Sequence, residues 1–165
     1  LEQEAPVASK STRHLQYVIS ELSRYDDILS APDLAEATAL LTRLSIDPAS
    51  DLEGHLILLT RQYVASNGLH ALYKGAAEAA EVDADVVEAR ADVAIRGIPT
   101  QDKLTEAKIA QQVKLDPGVQ NAKKRAIRVQ ELADIFYGLR EALRMRFTAV
   151  EHMSNNRRAQ MKVES

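Results

Sequence analysis

Apolar residues return along this chain at three- and four-residue steps over long distances, and only a few Pro, Gly and Asp positions break the rhythm. That spacing puts side chains on one stripe of a helix. The longest stretch runs from Asp116 to about Met161, where Ala122, Ala126, Val129, Ala133, Phe136, Leu143, Phe147 and Val150 carry the stripe and Arg140 interrupts it. Asp116 offers a carboxylate to the first free backbone amides, and Pro117 at the first helical position loses nothing by lacking a donor, so the pair is a helix start. At about 1.5 Å per residue such a helix spans roughly 70 Å, more than one small core needs. It therefore requires a partner of equal length.

The partner is legible from Asp51 to Arg96. Ser50-Asp51 caps a helix carrying Leu52, Leu56, Leu59 and Tyr63, and the pattern resumes after Asn67-Gly68 with Leu69, Leu72 and Ala76. The Asn-Gly pair is a place to kink or break the helix. The stripe then continues through Ala79, Val82, Val86, Ala89 and Val93 until Gly97-Ile98-Pro99-Thr100 stops it. A short helix, Thr105 to Lys114 with Thr105 as its cap, fits the connection. Upstream, Ser11-Thr12 can cap a first helix with Leu15, Val18, Ile19, Leu22, Tyr25 and Leu29, ending at Ser30-Ala31-Pro32. Asp33 then caps a second, with Leu34, Ala37, Leu41 and Leu44 inward, closed by Ile46-Asp47-Pro48. The predicted fold is all-α: a long antiparallel helical hairpin with a short connecting helix and an N-terminal helical hairpin, assembling into a homo-oligomer. The segments expected are 1–10, a disordered N-terminus or tag remnant; 11–49, the N-terminal hairpin; and 50–161, the long hairpin with a C-terminal oligomerisation helix.

Composition strengthens the helical reading. With two Phe, five Tyr and no Trp, Ala and Leu must carry the packing, and both are strong helix formers. The absence of cysteine removes disulfides, thiolate metal sites and cysteine nucleophiles. No apolar run approaches the roughly 18 residues of a membrane span and nothing resembles a signal peptide, so no membrane partner is expected. Net charge is −3, but residues 1–115 hold 11 Lys/Arg against 18 Asp/Glu whereas 116–165 hold 10 against 6. The last helix is thus the basic part. The N-terminal hairpin is acidic, with eight acids and two arginines between Glu21 and Glu53.

Catalytic chemistry is missing from the pattern. His14, His55, His70 and His152 lack metal-site spacing, and no Glu-x-x-His pair, phosphate loop, dinucleotide turn or nucleophile elbow occurs. Pairs such as Asp83 with Asp85 read as solvated helix charges, and His152 as a packed histidine. No enzyme activity, metal or cofactor is expected. What remains is binding: Arg90, Arg96, Lys103, Lys108 and Lys114 gather cations near one end of the long hairpin, with Lys123-Lys124-Arg125 and Arg128 beside them. Such surface binds phosphate backbones without reading bases, although stacking aromatics are few. On residue chemistry alone, single-stranded nucleic acid and a protein-only scaffold both stand.

Three segments, in order, resemble the UvsY family of phage recombination mediators: Glu88-Ala89-Arg90-Ala91-Asp92 followed by Arg96-Gly97; Leu104-Thr105-Glu106-Ala107-Lys108 before Asp116 and Val119; and Arg144 through Met153. The likeness covers roughly 55–160, and Glu88 stands where the family has a lysine. The resemblance implies a recombination mediator that binds single-stranded DNA and helps load a recombinase, in the cytoplasm of an infected bacterial host. Its implied partners are single-stranded DNA, the recombinase, a single-strand DNA-binding protein and further copies in a ring. Arg90, Arg96 and Lys108 are the expected DNA-binding residues, and Leu139, Leu143, Phe147 and Val150 the expected oligomerisation residues. The alternative is a phage or bacterial structural helical-hairpin scaffold without nucleic-acid binding.

Overall fold

The structure, a computed structural model, describes residues 18–43, 51–99 and 104–164. Among them every regular element is helical, and one long helix packs against another. The expected cap at Ser11-Thr12, Leu15, the stop at Ile46-Asp47-Pro48, Ser50 and Lys103 lie outside the described residues, as does the segment 1–10.

Helix α1 is described over 18–22 and tightens into a 3-10 turn at Ser23–Tyr25, a turn earlier than the expected end at Leu29. Ser23 Oγ donates to the Ser20 carbonyl at 2.7 Å, a side-chain bond that competes with the helix, and Asp26-Asp27 follow as turn formers. Helix α2, Ala31–Arg43, corrects the expected start. Its cap is Ser30 rather than Asp33: Ser30 Oγ accepts from the Asp33 amide at 3.3 Å and donates to its carboxylate at 2.6 Å. Pro32 falls in the first turn, where a missing amide donor costs nothing.

Helix α3, Leu52–Arg96, is continuous through Asn67-Gly68. Each interior glycine costs about 1 kcal/mol relative to alanine, but Ser66, Leu69 and Tyr73 around the pair are all buried, and that packing holds the helix through it. Asp51 caps it, accepting from the Gly54 amide at 2.9 Å. Helix α4 is Glu106–Leu115, with Thr105 accepting from the Lys108 amide, and α5 is Pro117–Glu164, with Asp116 accepting from the Val119 amide at 3.0 Å. These three starts agree with the sequence reading.

The chain divides into two compact units, Leu1–His70 with Ile135–Ser165, and Ala71–Asp134, and α3 and α5 contribute to both. In the first unit α3 and α5 run antiparallel, with Glu53 paired to Arg158 and His70 to Arg140. Leu22, Ala37, Leu40, Leu59, Phe136 and Leu143 are at most 3% exposed there. In the second unit Ile109, Val113 and Val119 are buried together, with Val87, Ala91, Ile95 and Leu104 packed against them.

That packing corrects the expected face of α3. The stripe through Val82, Val86, Ala89 and Val93 points outward, with Val82 61% and Val93 70% exposed. Ala77, Ala84, Val87, Ala91 and Ile95 turn inward instead. On α5 the expected stripe is the inward one: Val129, Ala133, Phe136, Leu143 and Val150 are buried.

Candidate nucleic-acid interface

The second unit holds the three expected DNA-binding residues, and their side chains have different fates. Arg96, in the last turn of α3, donates from Nε to Asp92 at 2.7 Å and from its two terminal nitrogens to the Glu106 carboxylate at 2.8 and 2.7 Å. The turn at Gly97-Ile98-Pro99 brings the start of α4 back to the end of α3, and the pair places a cation at a helix C-terminus and an anion at a helix N-terminus, where each complements the dipole. These hydrogen bonds, and secondarily the charge of Arg96, hold the Glu106 carboxyl below its ordinary range. Glu106 and then Asp92 raise the guanidinium in turn. Arg96 is therefore a strut between helices with its hydrogen-bonding fork occupied. Both groups face solvent, so the pair adds little stability.

Arg90 on α3 and Lys108 on α4 are exposed and have no ion-pair partner among the described residues. The same holds for Lys114, Lys124 and Arg125. Lys123 is different: it pairs at 2.6 Å with Glu88. Two paired cations, Arg96 and Lys123, are thus interspersed among five open ones. A shallow groove nearby is lined by Asp85, Glu88, Asp92 and Lys114, a mainly acidic wall. Sequence reasoning missed the two carboxylates that occupy Arg96. Asp92, four residues before it on one helix, carried a readable signal; Glu106 did not, because its approach depends on the turn.

In the first unit the polar cluster is Arg140, His70, Tyr137 and Glu141. The Arg140 guanidinium lies 4.7 Å from the Tyr137 ring centre and donates to His70 Nδ1 at 3.3 Å and to Glu141 at 3.1 Å. An arginine has only donors, so the His70 ring here accepts at Nδ1. Arg144 also donates to Glu141, at 2.8 Å, and these two arginines, Arg144 first, hold the Glu141 carboxyl below its ordinary range. The cluster explains why Arg140 can interrupt the apolar stripe: its charge is shared between a carboxylate, an imidazole and a ring face.

The expected oligomerisation residues are placed inside the chain itself. Leu139 is 5%, Leu143 0% and Val150 2% exposed, and Phe147 is half-buried, so the chain's own packing accounts for them. His152 is exposed rather than packed. Among the described residues no group of three or more His, Asp or Glu is arranged to hold a metal ion, and no helix is long and apolar enough to cross a membrane. No protein-family model, curated protein or solved structure matches the chain.

Proposed function

We propose that this chain is a non-catalytic recombination mediator, which holds single-stranded DNA by its phosphates and helps to load a recombinase. The observation that carries the reading is the set of exposed cations in the second unit without a carboxylate partner among the described residues: Arg90, Lys108, Lys124 and Arg125. The ordered likeness of Glu88–Asp92, Leu104–Lys108 and Arg144–Met153 to the mediator family supports it from the sequence side. Arg96, occupied by Glu106 and Asp92, moves from binding residue to positioning residue in this scheme. The subunit contacts of a homo-oligomer are assigned to exposed apolar side chains of α5, Met145, Met153 and Met161, because Leu139, Leu143 and Val150 are consumed by the core.

The test is fluorescence anisotropy of a labelled oligothymidylate titrated with the full chain at stepped salt. Each phosphate neutralised on a single strand contributes about −0.7 to the slope of log affinity against log salt, so four cations give a slope near −3. Replacing Arg90, Lys108, Lys124 and Arg125 by alanine should weaken binding across all sequences and flatten that slope. Absence of binding in low salt overturns the reading. The second reading, a helical scaffold without a nucleic-acid role, is favoured by a separate observation: the apolar outer face of α3, which nothing in the chain covers among the described residues.

A further inference from the structure

Helix α3 is apolar on two opposite sides. From Leu72 to Val93, wholly within the second unit, Leu72, Gly75, Ala79, Val82, Val86, Ala89 and Val93 follow one another at alternating steps of three and four, without interruption. That is a heptad seam, with Leu72, Ala79, Val86 and Val93 at one of its two core positions and Gly75, Val82 and Ala89 at the other. All seven are exposed; Leu72 is 56%, Val82 61% and Val93 70% open. The inward face, with Ala77 and Ala84 buried and Ala91 partly buried, lies about half a turn away from Val82, Val86 and Val93. The outer seam is therefore no spill-over from the core but a second, separate stripe, roughly 31 Å long at 1.5 Å per residue.

Its small residues suit it to a helix. Gly75, Ala79 and Ala89 lower the surface between the larger Val and Leu knobs, and the space where a Cβ of Gly75 would sit has nothing within 4 Å. No contact among the described residues accounts for a glycine there.

Charge selects the occupant. One edge of the seam carries Glu78, which Lys74 reaches at 4.0 Å, Asp85, which lines a groove with Lys114, and Asp92, which is held by Arg96; the other edge carries Asp83 and Arg90. A second copy laid on the same face in parallel would set Glu78 against Asp83 and Asp85 against Arg90, one repulsive and one attractive pair that leave no net gain. Laid antiparallel, it would set the edge bearing Glu78 and Asp85 against itself. A basic helix, by contrast, meets Glu78, Asp83 and Asp85 with Arg90 alone opposing it. Like charges at these flanking positions oppose pairing, whereas lysines or arginines there favour it. Nucleic acid is repelled by the same carboxylates. We propose that the outer face of α3 between Leu72 and Val93 is a docking surface for a basic amphipathic helix of another protein, one whose apolar stripe is bordered on both edges by Lys or Arg. The repeat of three and four predicts a left-handed crossing of about 20°. Of the four cations in the DNA reading Arg90 alone borders the seam on α3 itself, and the apolar seam does not depend on DNA being bound.

The probe is a labelled synthetic helix of about four heptads, with Ile and Leu at the core positions and Lys at both flanking positions; a control peptide carries Glu at the flanks. Full-length protein should bind the Lys peptide, and the Glu peptide at least about 10-fold more weakly. Val82→Gln with Val86→Gln should weaken the Lys peptide about 10-fold or more while leaving the circular dichroism unchanged, since both side chains are exposed. This removes apolar surface without changing charge, and so separates seam docking from general attraction of a cation to an acidic protein. Glu78→Gln with Asp83→Asn and Asp85→Asn should narrow the gap between the two peptides. Equal binding of both peptides by the wild type, unchanged binding by the double glutamine variant, or no binding of the Lys peptide would each overturn the proposal. So would sedimentation showing that the double glutamine variant turns a wild-type oligomer into monomers, which would assign the seam to a second copy.

Discussion

Gln62 lies on the buried side of α3, 2% exposed, and neither end of its amide has a hydrogen-bond partner among the described residues. A buried donor or acceptor left unmade costs about 1–3 kcal/mol, while a leucine of similar size has nothing to satisfy. Gln62→Leu should therefore raise the stability of the chain by roughly 1–3 kcal/mol, read as a higher urea midpoint with an unchanged slope. A lower midpoint would mean that the amide is satisfied in solution. The burial of Gln62 was not legible in advance. A glutamine three residues after Leu59 reads as the edge of a stripe until the neighbouring helix is seen to cover it. Arg96 is the same case with opposite effect: its charge was visible, its occupation by Glu106 was not.

At the scale of elements, helix starts were the most readable feature, because a cap is a local contract between a side chain and amides three residues on. Asp51, Thr105 and Asp116 all keep it. Ser30 displaced Asp33 because a proline two residues inside a helix is harmless, which makes Ser-Ala-Pro-Asp a start rather than a stop. The face of α3 was harder, since valine outranks alanine in hydrophobicity and both faces keep a helical period. Alanine goes inside where another helix approaches closely, and the larger Val82 and Val93 stay out. Ala84, 4% exposed, is thus expected to resist enlargement: Ala84→Leu should destabilise by about 1–3 kcal/mol, whereas Val82→Gln on the outer face should stay within about 0.5 kcal/mol. Thermal denaturation of the two variants side by side checks the assignment of faces, and a reversed order would invert it.

For the whole molecule, the division into two units both traversed by α3 and α5 changes what a disruptive substitution means. Leu139, Leu143 and Val150 look like assembly residues in a sequence where a long helix has apolar side chains to spare. In the structure the chain spends them on itself. Val150→Asp should accordingly lower stability by about 3–5 kcal/mol, the scale of an unpaired buried charge, and be seen as a fall in melting temperature rather than as a change of subunit number. A stable variant with unaltered melting and smaller mass in sedimentation would return Val150 to an interface. All-α architecture and the pairing of two long helices were readable from periodicity alone. Which apolar surface is internal and which is left for others was not, because both obey the same spacing.

The strut between Arg96 and Glu106 also has a thermodynamic side. A carboxylate held against a guanidinium by the fold is a tethered rival to any phosphate that seeks the same arginine, present at a local concentration no free anion matches. Taking away the rival's charge should then help the ligand. Glu106→Gln is expected to tighten binding of a labelled oligothymidylate and to steepen its salt slope by about 0.7, one further phosphate, even though the substitution removes a native ion pair. The same titration run on Arg96→Ala with Glu106→Gln should erase the gain, and a gain that persists without the arginine would show that Glu106 acts only by repelling the strand.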